Sequence, residues 1–173
     1  TVRALDGELT TAVIEGDVAT ENDADRIRAL GVPAHQILTG GACHLDARLV
    51  EAGIEEGGLP DVDILFIENV GNLICPTTYD LGEDFKVVLL SVAEGDDKPV
   101  KYPAIFARAE VAVVTKSDLL PHVPFDLDSV KSQIASLNPN GTVLVTSSLQ
   151  GDGVDQWLDL LRARLQTKRQ SQG

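Results

Sequence analysis

Asp63-Ile64-Leu65-Phe66-Ile67-Glu68 runs on into Asn69-Val70-Gly71-Asn72. The apolar stretch Ile64–Ile67 is too short for a buried helix and shows no polar alternation. A run of that kind is a strand covered on both faces, the mark of a parallel sheet. Working outward, Thr11–Glu15 (TAVIE), Phe85–Ser91 (FKVVLLS), Val111–Thr115 (VAVVT) and Thr142–Val145 (TVLV) have the same character. His35–Leu38 is a shorter strand candidate. Helix patterns lie between these runs. Thr20–Leu30 has Thr20 as a cap and Gly31 as a stop, and Leu45–Ala52 ends near Gly53. Leu127–Leu137 is stopped by Asn138-Pro139-Asn140-Gly141. Val154–Arg169 places Trp157, Leu158, Leu161 and Leu165 at helical spacing. The alternation predicts an α/β fold of three layers, a mostly parallel sheet with helices on both faces. It predicts one domain over residues 1–165 and a polar, frayed tail over 166–173.

Composition narrows the function classes. The chain has 173 residues, 43% hydrophobic and 24% charged, so a sizeable core is available. Aromatic residues are 4%, so that core is built from Val, Ile, Leu and Ala. The formal charge is −13, which excludes DNA, RNA and anionic membrane surfaces as expected partners. It does not exclude a single nucleotide, which needs only a local nest of backbone N–H groups. No apolar run is long enough to span a membrane, and Thr1–Asp6 has no secretory pattern. Two cysteines, Cys43 and Cys75, do not make a disulfide scaffold. A cytoplasmic protein is the expectation. The chain contains no Met and is read as a piece of a longer protein.

Ligands of such a sheet bind beyond the carboxyl ends of its strands. The polar residues after each run therefore bear the functional reading. Asp17 follows TAVIE-Gly, where a carboxylate can hold Mg²⁺ or orient a water. Glu68 follows the DILFI run, and Gly71 behind it allows close approach to a phosphate. Thr115-Lys116-Ser117-Asp118 follows VAVV. It fits the guanine-reading pattern Asn-Lys-x-Asp of GTPases, except that Thr115 stands in place of Asn. In that pattern the Asp accepts from two guanine donors and the Lys stem lies along the base. Thr146-Ser147-Ser148-Leu149 follows TVLV, and Ser148 takes the place of the residue whose N–H meets the base oxygen. Gly40-Gly41-Ala42-Cys43-His44 is a glycine-rich turn leading into a helix, and Cys75 follows the Glu68 strand. Two thiolates and an imidazole suit Ni²⁺ or Zn²⁺ and leave one position open. His35 and His122 have no such company.

Taken together, these residues resemble one family. Glu15-Gly16-Asp17, Thr20–Ile27, Thr39-Gly40, Cys43-His44-Leu45-Asp46-Ala47 and Ile67–Leu73 with Cys75-Pro76 are similar to the hydrogenase-maturation nickel-incorporation GTPases, HypB. The likeness runs from Thr11 to about Leu161. The sister urease accessory GTPases carry a Cys-Pro-His arrangement and match less well. The resemblance implies a P-loop GTPase that dimerises with nucleotide and delivers nickel to the large subunit of a [NiFe]-hydrogenase, with nickel-delivery partners. It implies Cys43, His44 and Cys75 as metal ligands near a dimer interface. It implies Asp17 and Glu68 as the catalytic acids beside Mg²⁺ and the γ-phosphate of GTP, and Lys116 and Asp118 as the base-reading pair. Arg48 stands where some members have a further His, so a fourth ligand would be water, Asp46 or the other subunit.

One departure is large. The chain contains no G-x-x-x-x-G-K-[ST], the loop that cradles phosphates and supplies a Lys to them. The expectation is that this loop lies upstream of Thr1 and that the chain alone hydrolyses little GTP. The alternative reading is a non-enzymatic, metal-binding dimerisation module. A nicotinamide dehydrogenase is a distant third, since no G-x-G-x-x-G follows a strand.

Overall fold

The computed structural model describes residues 1–18 and 22–172. The described chain forms two compact units. One holds residues 1–83 and the chain from Thr167 on, and the other holds Asp84–Gln166. Each has its own parallel three-stranded sheet, so the fold class is α/β with parallel strands and packed helices.

The first unit contains α1 (Val2–Leu5), β1 (Thr11–Asp17), α2 (Asn22–Arg28), β2 (Ala34–Leu38), α3 (Ala47–Glu56) and β3 (Ile64–Glu68). A 3₁₀ turn spans Cys75–Thr78. The strand order is β2-β1-β3. The central strand β1 is buried from Thr11 through Gly16, as expected for a strand covered on both faces. It runs two residues beyond TAVIE, so Asp17 is the last residue of the strand. Its core is Ile14, Ile37, Leu45, Val50 and Leu81, with Ile54, Leu65 and Ile67 packed against it. Ile14 and Leu45 are fully buried, each worth about 2 kcal/mol relative to exposure.

One expectation in this unit is corrected. Helix α3 does not stop at Gly53 but continues to Glu56. A Cβ at Gly53 would stand 2.7 Å from Ile37 Cδ1, so that glycine lets the helix lie close on β2. The expected cap Thr20 lies outside the described residues. The stop after α2 agrees with expectation: Gly31 takes φ +80° and its N–H donates to Arg28 O.

The second unit contains β4 (Val87–Ser91), α4 (Lys98–Lys101), α5 (Pro103–Arg108), β5 (Val111–Thr115), α6 (Leu127–Leu137), β6 (Thr142–Val145) and the start of α7 (Val154–Gln172). The order is β4-β5-β6. Val111, Val113 and Leu144 form a core with Phe85, Val87, Trp157 and Leu160. The short helices α4 and α5 have no counterpart in the sequence reading. The tail read as frayed is helical through Gln172. Its Gln, Lys and Arg residues are good helix formers, and Arg169 pairs with Asp63.

Candidate functional site

Register on the first sheet sets a row of polar residues. Glu15 of β1 lies opposite Gln36 of β2 and opposite Glu68 of β3. Partners in parallel register point to the same face. Glu15 is 5% exposed and its Oε2 has no hydrogen-bond partner among the described residues. Gln36 spends its Nε2 on the Glu15 backbone oxygen at 3.2 Å. Burial first, then the Glu68 and Asp23 charges, push the Glu15 carboxyl up to about 7. Glu68 is also raised, by burial and then by Asp23 and Asp17. The structure thus brings Asp17 and Glu68 close enough to repel, with Glu15 and Asp23 beside them. Carboxylate oxygens are the donors that Mg²⁺ takes, so the donor chemistry of Asp17 and Glu68 suits that ion, while the buried unsatisfied oxygen beside them is Glu15 Oε2 and among the described residues no three acidic side chains stand arranged to hold a metal. Gly71 sits three residues beyond Glu68 with open space around its Cα.

The cysteine region is built by the loop before α3. Gly40 and Gly41 adopt φ +61° and +105°, a bend that L side chains resist. Thr39 Oγ1 donates to Ala42 O at 2.7 Å and closes it. Cys43 is exposed, Cys75 is half-buried, and neither is in a disulfide. Cys43 Sγ lies 3.8 Å from His44 Nδ1. The Cys43 side chain lies beside the Cys75 thiol and is the main cause of the raised Cys75 pKa. The His44 ring stacks on Tyr79, centroids 3.6 Å apart and planes at 18°. Among the described residues no three His, Cys, Asp or Glu side chains stand arranged to hold a metal ion. The predicted residues meet in pairs, Cys43 with Cys75 and Cys43 with His44. Asp46 is engaged elsewhere: its Oδ1 accepts from Leu49 N at 2.9 Å as the α3 cap, and Oδ2 pairs with Arg48.

The second unit presents the predicted base-reading residues. Thr115 ends β5, and Lys116 is the only non-glycine with positive φ, at 58°, among the described residues. That left-handed residue turns the chain sharply, so Ser117 N donates to Thr146 O at 3.0 Å. Ser147, fully buried, donates to Asp118 Oδ1 at 2.5 Å and accepts from Gln150 N. Ser148, the predicted contact, is exposed on the following turn. A Cβ at Gly153 would stand 2.0 Å from Val145 O, so the loop closes only over glycine.

A profile described as the CobW/HypB/UreG nucleotide-binding domain matches residues 2–145. The chain belongs to the CobW/HypB/UreG family. A hydrogenase maturation factor HypB of Escherichia coli K12 is 48% identical over 164 residues, 95% of this chain and 57% of that protein. A hydrogenase/urease maturation factor HypB of Helicobacter pylori J99 is 42% identical over 163 residues, 92% of this chain and 66% of that protein. The chain thus spans 57% of the E. coli relative's length. A crystal structure of H. pylori HypB in complex with nickel superposes with TM-score 0.88 at 40% identity, covering 94% of this chain and 77% of that one. The maturation factor HypB of Archaeoglobus fulgidus gives TM-score 0.87 at 38% identity, covering 95% and 80%.

Within this CobW/HypB/UreG chain the structure adds residues that sequence reasoning did not single out. Glu15 was legible as an acid ending an apolar run. The side-chain bonds of Ser147, Asn69 and Asn72 and the ring contact of Tyr79 were not read from the sequence.

Proposed function

We propose that the whole protein is a GTP-hydrolysing nickel-handling factor that acts in hydrogenase maturation in the cytoplasm. The observation that supports it most is the contact between the Cys43 and Cys75 thiols, because Cys75 follows Glu68 on one short segment of a nucleotide-binding fold. Deprotonated, the two sulfurs form a soft pair suited to Ni²⁺, with Zn²⁺ a competitor and His44 a third donor once it leaves Tyr79.

Asp118, aimed by Ser147, accepts from guanine N1–H and the exocyclic amine. Lys116 lays its stem along the base, and the Thr115 hydroxyl, shorter than an Asn amide, contributes less. The Ser148 N–H faces the base oxygen. Asp17 and Glu68 would hold Mg²⁺ and orient the attacking water, and Gly71 would admit the γ-phosphate. Mg²⁺ bound there supplies charge neutralisation as the phosphoryl group transfers to water. Movement of Glu68 and Gly71 with the γ-phosphate is transmitted along Asn72 to Cys75, so that nucleotide state sets metal affinity. A nucleotide-dependent homodimer, nickel-delivery partners and a hydrogenase large subunit complete the proposal.

Phosphate release by the full-length protein tests it. GTP should be hydrolysed in preference to ATP, and Asp17→Asn or Glu68→Gln should abolish the activity. Nickel affinity should differ between GTP- and GDP-loaded protein. Equal rates for GTP and ATP, or equal nickel affinity in both states, would count against it.

A further inference from the structure

We infer that Asn72 is the positioning residue that holds the two cysteines in one metal-binding geometry; this rests on the nickel-site reading above. One side chain touches both cysteine backbones. Asn72 Nδ2 donates to Cys43 O at 2.7 Å, and Asn72 Oδ1 accepts from Cys75 N at 2.8 Å and from Ile74 N at 3.1 Å. Cys43 and Cys75 are 32 residues apart in sequence, and the Asn72 side chain bonds the backbone of both.

A second carboxamide fixes the other side of the same loop. Asn69 Oδ1 accepts from Leu45 N and Val70 N, both at 2.8 Å. The Cys43-His44-Leu45 segment is thereby clamped before and after His44 by the residues that follow Glu68. Beneath it, Leu45 is fully buried, and a Cβ on Gly16 would stand 2.7 Å from Leu45 Cγ. With Leu45 seated on β1 and Asn69, the Cys43 end has Asn72 as its link to Cys75. A short amide side chain with a donor and an acceptor suits the task. Ala offers neither group. Ser can still accept from a backbone N–H two or three residues on, but cannot reach Cys43.

Asn72→Ser therefore separates positioning from folding, because it keeps the local turn and loses the bridge. Asn72→Ala loses both. In full-length protein, nickel affinity should fall about 10- to 100-fold in both variants, the range for removing an outer-sphere support of a metal ligand. The thiolate-to-nickel charge-transfer band should weaken at equal occupancy. A metal-free readout accompanies these: dibromobimane, which fluoresces when it bridges two nearby thiols, should react several-fold more slowly in Asn72→Ser. Alkylation of single thiols by N-ethylmaleimide should be unchanged. Wild-type bridging and nickel affinity in a folded Asn72→Ser protein would overturn the inference. If wild-type protein binds no nickel but Asn72→Ser slows bridging, the positioning role stands and the nickel reading falls.

Discussion

Replacing Glu15 by Gln should change the stability of the protein in a pH-dependent way. Glu15 is buried on the central strand β1, its Oε2 without a hydrogen-bond partner among the described residues, its carboxyl raised from 4.5 to about 7. Well below 4.5 the group is neutral in both folded and unfolded chains and contributes no pH dependence. As pH rises, the unfolded chain's Glu ionises first while the folded chain keeps its proton, so stability falls. The loss is complete once pH passes the folded value. The shift corresponds to about 2–3 kcal/mol between pH 5 and pH 8, at roughly 1.4 kcal/mol per unit less what is already lost at pH 5. Gln has nearly the same shape and no charge, and the Gln36 amide bonds the Glu15 backbone, so that contact survives. Urea unfolding of nucleotide-free protein in chelator, at pH 5, 6, 7 and 8, reads the effect. The stability of Glu15→Gln minus that of wild type should grow by about 2–3 kcal/mol across the series. Titrating groups that do not interact with Glu15 cancel in this difference. A difference that stays constant with pH would refute the reasoning and show that Glu15 is solvated or paired in solution.

Three further outcomes follow from the same geometry. Asp118→Asn turns one acceptor facing guanine's donors into a donor, so GTP affinity should drop about 10- to 100-fold, while xanthosine triphosphate, with a carbonyl in place of the amine, gains; nucleotide displacement titrations measure both. Ser147→Ala removes the buried 2.5 Å bond to Asp118, and GDP affinity should fall about tenfold, with a lower melting temperature. Gly16→Ala drives a methyl to 2.7 Å from Leu45 Cγ and should cost about 1–3 kcal/mol in a denaturant melt.

The strands were legible because burial on both faces leaves a run with no polar break, and VAVVT and DILFIE state that directly. The strand-end acids and the Lys116–Asp118 pair were legible because a parallel sheet collects its chemistry at carboxyl ends. What escaped was what depends on close approach. Gly53 read as a stop, yet it serves contact with Ile37 inside a continuing helix. The Ser147 bond to Asp118 escaped too, because which of two adjacent serines turns inward is set by the closure over Gly153. Asn72 could not be read at all, since its two partners lie on segments that only the fold brings together. The His44–Tyr79 stack, which draws the imidazole away from a three-ligand set, belongs to the same class.

The central claim is that Cys43 and Cys75 form one nickel site. A Ni²⁺ titration of full-length protein, with Zn²⁺ in competition, beside Cys43→Ala and Cys75→Ala, tests it most directly. The account predicts tight binding in wild type with thiolate-to-nickel charge transfer, lost in both variants. Equal affinity in all three proteins would contradict it and leave the cysteines as packing residues of a nucleotide-binding fold.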